Sequence, residues 1–262
     1  MDIFYRYGEW TIIHNRIDMA QTLKFGNGTW ATKKGSTLAF NDEDGNYKPL
    51  PFTTTRATSA TRVNKEGLIE VVESDRPRID YTDSADGVLL LEKAATNLVT
   101  HSEDFSNAAW VKLGAGTGSA AIVTSDYAIS PDGTQNATRL QCDLNGGLTS
   151  SANQSLIYDS YTSSGNQSIS IYVKSNTGSN QTIYFANTQT SGDTITVTSD
   201  WQRFEFSHST ATYIFAIGLR GRSGGSIDDT ADILIWGAQS ESGNLSSYIP
   251  TQGSAVTRVA DT

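Results

Sequence analysis

Only one cysteine, Cys142, occurs among the 262 residues, so an internal disulfide is excluded and the fold must be stabilised by its core or by assembly. It lies in the alternating segment 137–142, the setting of a small buried hydrophobe rather than a reactive thiol. The three histidines, His14, His101 and His208, fall in separate regions without metal-ligand spacing, and no nucleophile-elbow motif surrounds a serine. Neither zinc chemistry nor serine hydrolysis is indicated. Basic residues are scarce: 19 Lys and Arg stand against 28 Asp and Glu, a formal net charge of -9. Such a chain repels phosphates, which argues against nucleic acid as a partner. The acidic excess forms no tail and identifies no partner of its own. Long apolar runs are missing too, so no membrane insertion is expected, and Met1–Tyr7 lacks the basic start and apolar stretch of a secretion signal.

Ser and Thr supply 62 residues and Gly 23, while Leu, Ala, Glu and Lys never cluster at helical spacing. Short strands joined by polar turns fit this composition. Residues 1–50 read as an irregular N-terminal anchoring or docking segment, with aromatics at Phe4, Tyr5, Tyr7 and Trp10 and two helical turns expected around Ile12, Ile13, Ile17 and Met19. Residues 51–95 read as an extended β linker region, 96–250 as the folded module, and 251–262 as a C-terminal strand or linker. Within the module, segment 167–174 puts Ile169, Ile171 and Val173 on one face and Ser168, Ser170, Tyr172 and Lys174 on the other, the period-2 pattern of a half-buried strand. Segments 120–124, 137–142, 182–186, 193–198 and 201–207 read as further strands. Segments 213–219 and 233–236 are apolar on both faces and belong in central positions. About eight strands in this stretch predict an all-β, two-sheet jelly-roll β-sandwich. Thr55–Val63 echoes Thr251–Val259, with four of nine positions identical, and each is expected to form an edge or linker strand.

Several motifs together carry a family resemblance. Thr96–Thr100, Ser102–Asn107 with Trp110, Ser130–Thr134, Ser168–Lys174, Asp200–Phe204, Ile235–Gln239 and Tyr248–Thr251 resemble the carbohydrate-binding-like, concanavalin-like or galactose-binding-like, jelly-roll modules of bacteriophage fibre and virion proteins. Phe52–Glu70 and Pro77–Tyr81 resemble the lead-in of such proteins. The resemblance implies a β-sandwich in a virion component, assembled in the bacterial host cytoplasm. Its implied partners are further copies of itself as a homo-oligomer, with a trimer expected, other virion proteins and a host-surface glycan.

The residues offer little for catalysis. Glycoside hydrolysis needs two carboxylates across a cleft, and Glu205 is the main acidic residue within an expected strand, where a solvated position is the usual role. No cofactor is expected. Asp42 and Asp44 in one turn, and Asp228, Asp229 and Asp232 in another, are the candidates for a structural calcium, weighed against plain solvated loops. Sugar recognition uses aromatic faces and planar polar groups. Trp110, Trp201 and Trp236 are expected in the core or in turns, leaving Tyr172 and Tyr184, with Lys174, Asn187 and Arg220, as the carbohydrate-binding candidates. The leading expectation is a non-enzymatic virion fibre or adhesin module for host attachment or fibre assembly. The alternatives are a carbohydrate-binding module of a polysaccharide-degrading enzyme or depolymerase, and a stand-alone enzyme such as a lyase or depolymerase.

Overall fold

A computed structural model describes residues 2–6, 9–13, 20–23, 30–33, 36–42, 44–50, 52–161, 165–186, 192–209, 213–222 and 227–262. Among the described residues there are strands and turns and no helix, hence none long and apolar enough to cross a membrane. The chain divides into two compact units, one of Met1–Ala95 with Ser246–Ile249 and Thr257–Thr262, the other of Thr96–Leu245 with Pro250–Val256.

The first unit holds β1 (Asp2–Arg6), β2 (Glu9–Ile13), β3 (Ala20–Leu23), β4 (Trp30–Lys33), β5 (Ser36–Asn41), β6 (Tyr47–Pro49), β7 (Ala60–Val63), β8 (Ile69–Val72), β9 (Arg78–Asp80) and β10 (Val88–Glu92). They form small antiparallel sheets, β1-β2, β3-β10-β9, β4-β5-β6 and β7-β8. The expected helical turns are not present at Ile12 and Ile13, which end β2 opposite Ile3 and Asp2. Two adjacent β-branched residues favour the strand. Ile17 and Met19 lie outside the described residues. Residues 2–6 and 9–13 thus form a hairpin where an irregular segment was expected.

Among the described residues one apolar cluster of this unit joins Trp30, Ile79 and Leu89, with Phe40, Leu50, Phe52, Tyr81 and Leu91 packed against them. Much of the remaining interior is ionic. Arg56, Arg78 and Arg258 are each at most 1 % exposed and converge on Asp261 and Glu92. Arg56 Nη1 donates to Asp261 Oδ1 at 2.7 Å and Nη2 to the Glu73 carbonyl at 2.6 Å. Arg78 Nη1 donates to Glu92 Oε2 at 2.8 Å, and its Nη2 to Asp261 Oδ2. The Ser247 amide and hydroxyl complete the Glu92 carboxylate at 2.7 and 2.6 Å. The echoed Thr-Arg-Val sequences both bury their arginine here: Arg62 on β7 pairs with Glu70, and Arg258 with Glu92.

Short strands β11 (Ala95–Asn97) and β22 (Val256–Arg258) fall where the chain passes from one unit to the other. The second unit holds β12 (Val111–Ala115), β13 (Ile122–Ala128), β14 (Ala137–Asp143), β15 (Gln154–Tyr161), β16 (Asn166–Ser175), β17 (Gln181–Ala186), β18 (Asp193–Val197), β19 (Gln202–Ser209), β20 (Tyr213–Arg220) and β21 (Thr230–Ser242). Two five-stranded sheets result, β12-β15-β20-β17-β18 and β13-β14-β21-β16-β19, and every pairing in them is antiparallel. The last eight strands follow jelly-roll order: the first, eighth, third and sixth share one sheet, and the second, seventh, fourth and fifth the other.

β20 and β21, the segments apolar on both faces, are the middle strands of their sheets. Between the sheets Ile169, Ile171, Val173, Ile233 and Ile235 meet Ile157, Ile183, Phe185, Phe215 and Ile217, all fully buried, each contributing about 1.5–3 kcal/mol. Trp110 closes this core, with its ring 4.9 Å from Phe105 and 5.4 Å from Phe215, while its Nε1 donates to the His101 carbonyl at 2.9 Å.

The polar side of β16 is less open than its alternation suggests. Ser168 and Ser170 are buried, because Ser168 hydrogen-bonds Ser207 and the Gly243 carbonyl and Ser170 Oγ accepts Arg203 Nε and Nη2 at 3.1 and 2.9 Å. Beyond Ser170 the register with β21 shifts by a residue. Gly237, at φ 67°, supplies the left-handed residue that such a bulge requires.

Candidate functional site

Strand alternation sends Ile183, Phe185, Phe215 and Ile217 inward, and therefore Tyr184, Ala216, Gly218 and Arg220 to the outer face of the β12-β15-β20-β17-β18 sheet. Register fixes their neighbours. Leu156 and Tyr184 flank Gly218 on either side, Tyr158 lies opposite Ala216, Gln154 opposite Arg220, and Leu113 opposite Leu156. At the centre of the face Ala216 and Gly218 stand between the larger Leu156, Tyr158 and Tyr184, and Leu156, Tyr184, Ala216 and Gly218 are buried. Gly218 could not be replaced without movement, since a Cβ there would lie 2.5 Å from the Leu156 Cα. Tyr158, Leu113, Gln154 and Arg220 are half-buried, and Val111 is exposed. An aromatic ring, aliphatic surface and planar amide and guanidinium groups thus share one side of the sheet.

One wall is built around Tyr184, which is buried although its alternation suggested surface exposure. The Arg220 guanidinium lies 5.6 Å from its ring centroid, an attraction between a cation and a π face. Arg220 Nη1 donates to the Tyr184 hydroxyl at 3.3 Å and its Nε to the Ser151 carbonyl at 3.2 Å. Gly192 lies against the same ring, where a Cβ would come within 2.7 Å. Its carbonyl accepts Arg222 Nη1 at 2.8 Å. One guanidinium group, that of Arg220, thus lies over the Tyr184 ring, and Arg222 holds the Gly192 carbonyl.

The five carbohydrate-binding candidates read from the sequence do not fall in one place. Tyr184 and Arg220 come together as described. Tyr172 and Lys174 are on β16, in the other sheet, where Tyr172 packs 5.6 Å from Trp236 and under Arg203. Asn187 lies outside the described residues. Of the tryptophans, Trp110 and Trp236 are buried and Trp201, half-buried in a turn, donates to the Ile129 carbonyl at 3.2 Å. Tyr158, Gln154 and Arg222 did not stand out in the sequence.

The acidic candidates are committed to local structure. Asp42 Oδ1 accepts the Asn46 and Asp44 amides at 2.8 and 3.1 Å. The Asn46 amide bond, with Lys48 nearby, holds this carboxyl below its ordinary value. Asp228 accepts the Thr182 amide and Asp229 the Gly146 amide. Asp232 is clamped by Arg139 at 2.8 and 2.5 Å and by Asn176 at 3.1 Å, and the Arg139 hydrogen bonds lower its carboxyl pKa. These last three, expected in an open loop, are half-buried and line a cleft of about 710 Å³ with Asp143, Gln141 and Gln181. Among the described residues no three His, Cys, Asp or Glu side chains are grouped to hold a metal ion. His14 lies outside the described residues, and Glu205 is exposed.

Cys142 is buried, and burial pushes its thiol up to about 12. A thiol so far above neutral pH holds almost no nucleophilic thiolate. An aromatic disulfide reagent at pH 8 is expected to leave the folded protein unlabelled and to titrate one thiol after denaturation; rapid labelling of the native protein would contradict this burial.

No family model matches the sequence, and no curated protein matches it. Solved structures with a similar course include a carbohydrate-binding module of the β-sandwich superfamily, at 9 % identity over 86 % of this chain and 99 % of that chain, with a TM-score of 0.38. The CBM22-1 xylan-binding domain from Paenibacillus barcinonensis is 16 % identical over 58 % of this chain and 94 % of its own, with a TM-score of 0.32. The enzymatically active domain of tailspike protein 4 of bacteriophage CBA120 is 14 % identical over 57 % of this chain and 21 % of that chain, with a TM-score of 0.31.

Proposed function

We propose that the second unit is a non-catalytic glycan-binding module and that the outer face of the β12-β15-β20-β17-β18 sheet, around Tyr158, receives the sugar. The observation that carries this reading is the row formed by Tyr158, Ala216, Gly218 and Arg220 with its flanking Gln154 and Leu113. A pyranose offers an apolar face and a rim of hydroxyls, and this row offers a half-buried tyrosine ring, aliphatic surface at Leu113 and planar hydrogen-bonding groups at Gln154 and Arg220.

Tyr158→Ala is expected to weaken glycan binding about tenfold, as loss of an aromatic anchor costs about 1–2 kcal/mol. Isothermal titration against glycans selected on an array provides the readout, with the melting temperature as a control for folding. Unchanged affinity in a folded variant would remove this face from consideration, and failure to retain any glycan would end the proposal.

The setting we propose is a virion fibre or adhesin, in which repeated copies convert weak single-site affinity into avidity. Support comes from the motif resemblance spread over Thr96–Thr251. Antibody labelling of phage particles and the mass of the assembly in solution test it; unlabelled particles or a strictly monomeric mass count against the virion and the homo-oligomer respectively.

A further inference from the structure

We propose that the second unit carries a second glycan-binding site, the cleft of about 710 Å³ lined by Ile122, Gln141 and Asp232 of the β13-β14-β21-β16-β19 sheet, and that it takes an uncharged sugar. The inference shares with the reading above only that this unit binds glycan, and it uses none of the residues around Tyr158.

Register sets these three lining residues in one row, Ile122 on β13 beside Gln141 on β14 beside Asp232 on β21. Alternation turns Gln141 outward, because Leu140 and Cys142 on either side of it are buried. Two of the three are not used by the fold. Ile122 is 60 % exposed, and the half-buried Gln141 side chain makes no hydrogen bond among the described residues. An aliphatic surface beside a planar amide matches the C–H face and the hydroxyl rim of a pyranose, and the cleft has the volume of a small-molecule site.

The carboxylates of the cleft are already oriented. Asp143 Oδ1 accepts the Asn145 amide at 2.7 Å, Asp228 Oδ2 the Thr182 amide at 2.8 Å and Asp229 Oδ1 the Gly146 amide at 2.7 Å. Each keeps its second oxygen as an acceptor whose direction the first has fixed. Asp232 differs, since Arg139 holds both its oxygens. The Arg139 guanidinium also lies 5.0 Å from the centroid of the Tyr127 ring, which is 43 % exposed. The ion pair thus steadies a partly open aromatic ring next to a residue of the cleft.

Charge selects among sugars. No Lys or Arg lines the cleft, and Arg139 is matched by Asp232. A glycan bearing carboxylate or sulfate would meet three carboxylates that have no ion pair among the described residues, whereas a neutral glycan offers each of them a hydroxyl donor. Carboxylates alone would suit a cation equally well; the bare isoleucine, the free amide and the tyrosine ring favour a sugar.

The test uses the full chain on an array of neutral xylo-, cello-, manno- and malto-oligosaccharides with oligogalacturonates for comparison. Tyr158→Ala should still retain at least one neutral oligosaccharide. Adding Gln141→Ala and Ile122→Ala to that variant should weaken the remaining retention about tenfold, with the melting temperature as the control for folding. Thr230→Trp, at an exposed position lining the cleft, should block it and give the same loss without touching either residue. Retention by Tyr158→Ala that neither change reduces, or no retention by Tyr158→Ala where wild type binds, would overturn the second site and leave the Tyr158 face standing. Preference of the Tyr158→Ala protein for oligogalacturonate would overturn the uncharged class. Selection of no sugar by wild type would end both readings.

Discussion

Asp261→Asn is expected to lower the unfolding free energy by about 3–5 kcal/mol, the cost of removing one partner from a buried ionic cluster. Asp261 accepts from both Arg56 and Arg78, and its Oδ2 also accepts the Glu92 amide at 3.0 Å. Without its charge, Arg56 loses its ion pair, and Arg78 and Arg258 are left with Glu92. The effect should be large because a buried guanidinium left without its carboxylate keeps its full desolvation cost. The pH dependence has a defined sign. Burial alone would raise the carboxyls of Glu92 and Asp261, but for Glu92 the charges of Arg78 and Arg258 and the Ser247 hydrogen bonds outweigh it. For Asp261 the Arg78 charge and the Arg56 hydrogen bond do the same, and both carboxyls lie below their ordinary values. A carboxyl depressed in the folded state binds its proton more readily when unfolded. Its contribution is therefore complete above the ordinary carboxylate pKa and disappears as pH falls through the lower, folded value. Urea titrations at pH 7 and at descending acid pH should show wild type losing stability over that acid range and Asp261→Asn losing less of it. A loss below about 1 kcal/mol at pH 7 would mean that the cluster is not a principal support of the unit.

What the sequence disclosed depended on whether polar and apolar residues alternated cleanly. β20 and β21 were legible as central strands because Ile214 to Leu219 and Ile233 to Trp236 are apolar on both sides, and no edge position would bury both. β15 escaped notice because it carries polar groups inward: Ser155 and Asp159 are buried, with Ser155 Oγ accepting the Asp143 amide at 3.0 Å. Its sequence, Gln-Ser-Leu-Ile-Tyr-Asp-Ser-Tyr, therefore has no simple period, and Tyr158 and Gln154 went unrecognised with it. The candidate site was half legible for a related reason. Alternation tells which side of a strand a residue occupies but not which sheet the strand joins. It grouped Tyr184 and Arg220, which are neighbours in the fold, with Tyr172 and Lys174, although these two stand in the opposite sheet. The ionic interior of the first unit had no sequence signal, since Arg56, Arg78 and Arg258 occur at unrelated spacings and become neighbours only through chain folding.

Trp110→Ala should destabilise the sandwich unit by about 3–5 kcal/mol, comparable to the cost of emptying a large core site. Trp110 is 1 % exposed, and the two rings that it touches approach it differently. Phe105 is tilted at 48°, whereas Phe215 meets it edge to face at 87°, and Phe215 continues to Phe185 at 5.6 Å. Truncation removes a link in this chain of rings and also leaves the buried side of the His101 carbonyl without the indole donor. Trp110→Phe separates the two contributions, because it retains a ring and loses only the extra volume and the N–H. It is expected to cost less than the alanine variant but more than about 1 kcal/mol, since an orphaned buried acceptor carries its own penalty. Denaturant titration followed by circular dichroism gives both values. Equal stability of Trp110→Phe and wild type would show that the indole hydrogen bond contributes nothing, and a small effect of Trp110→Ala would show that the surrounding rings collapse into its place.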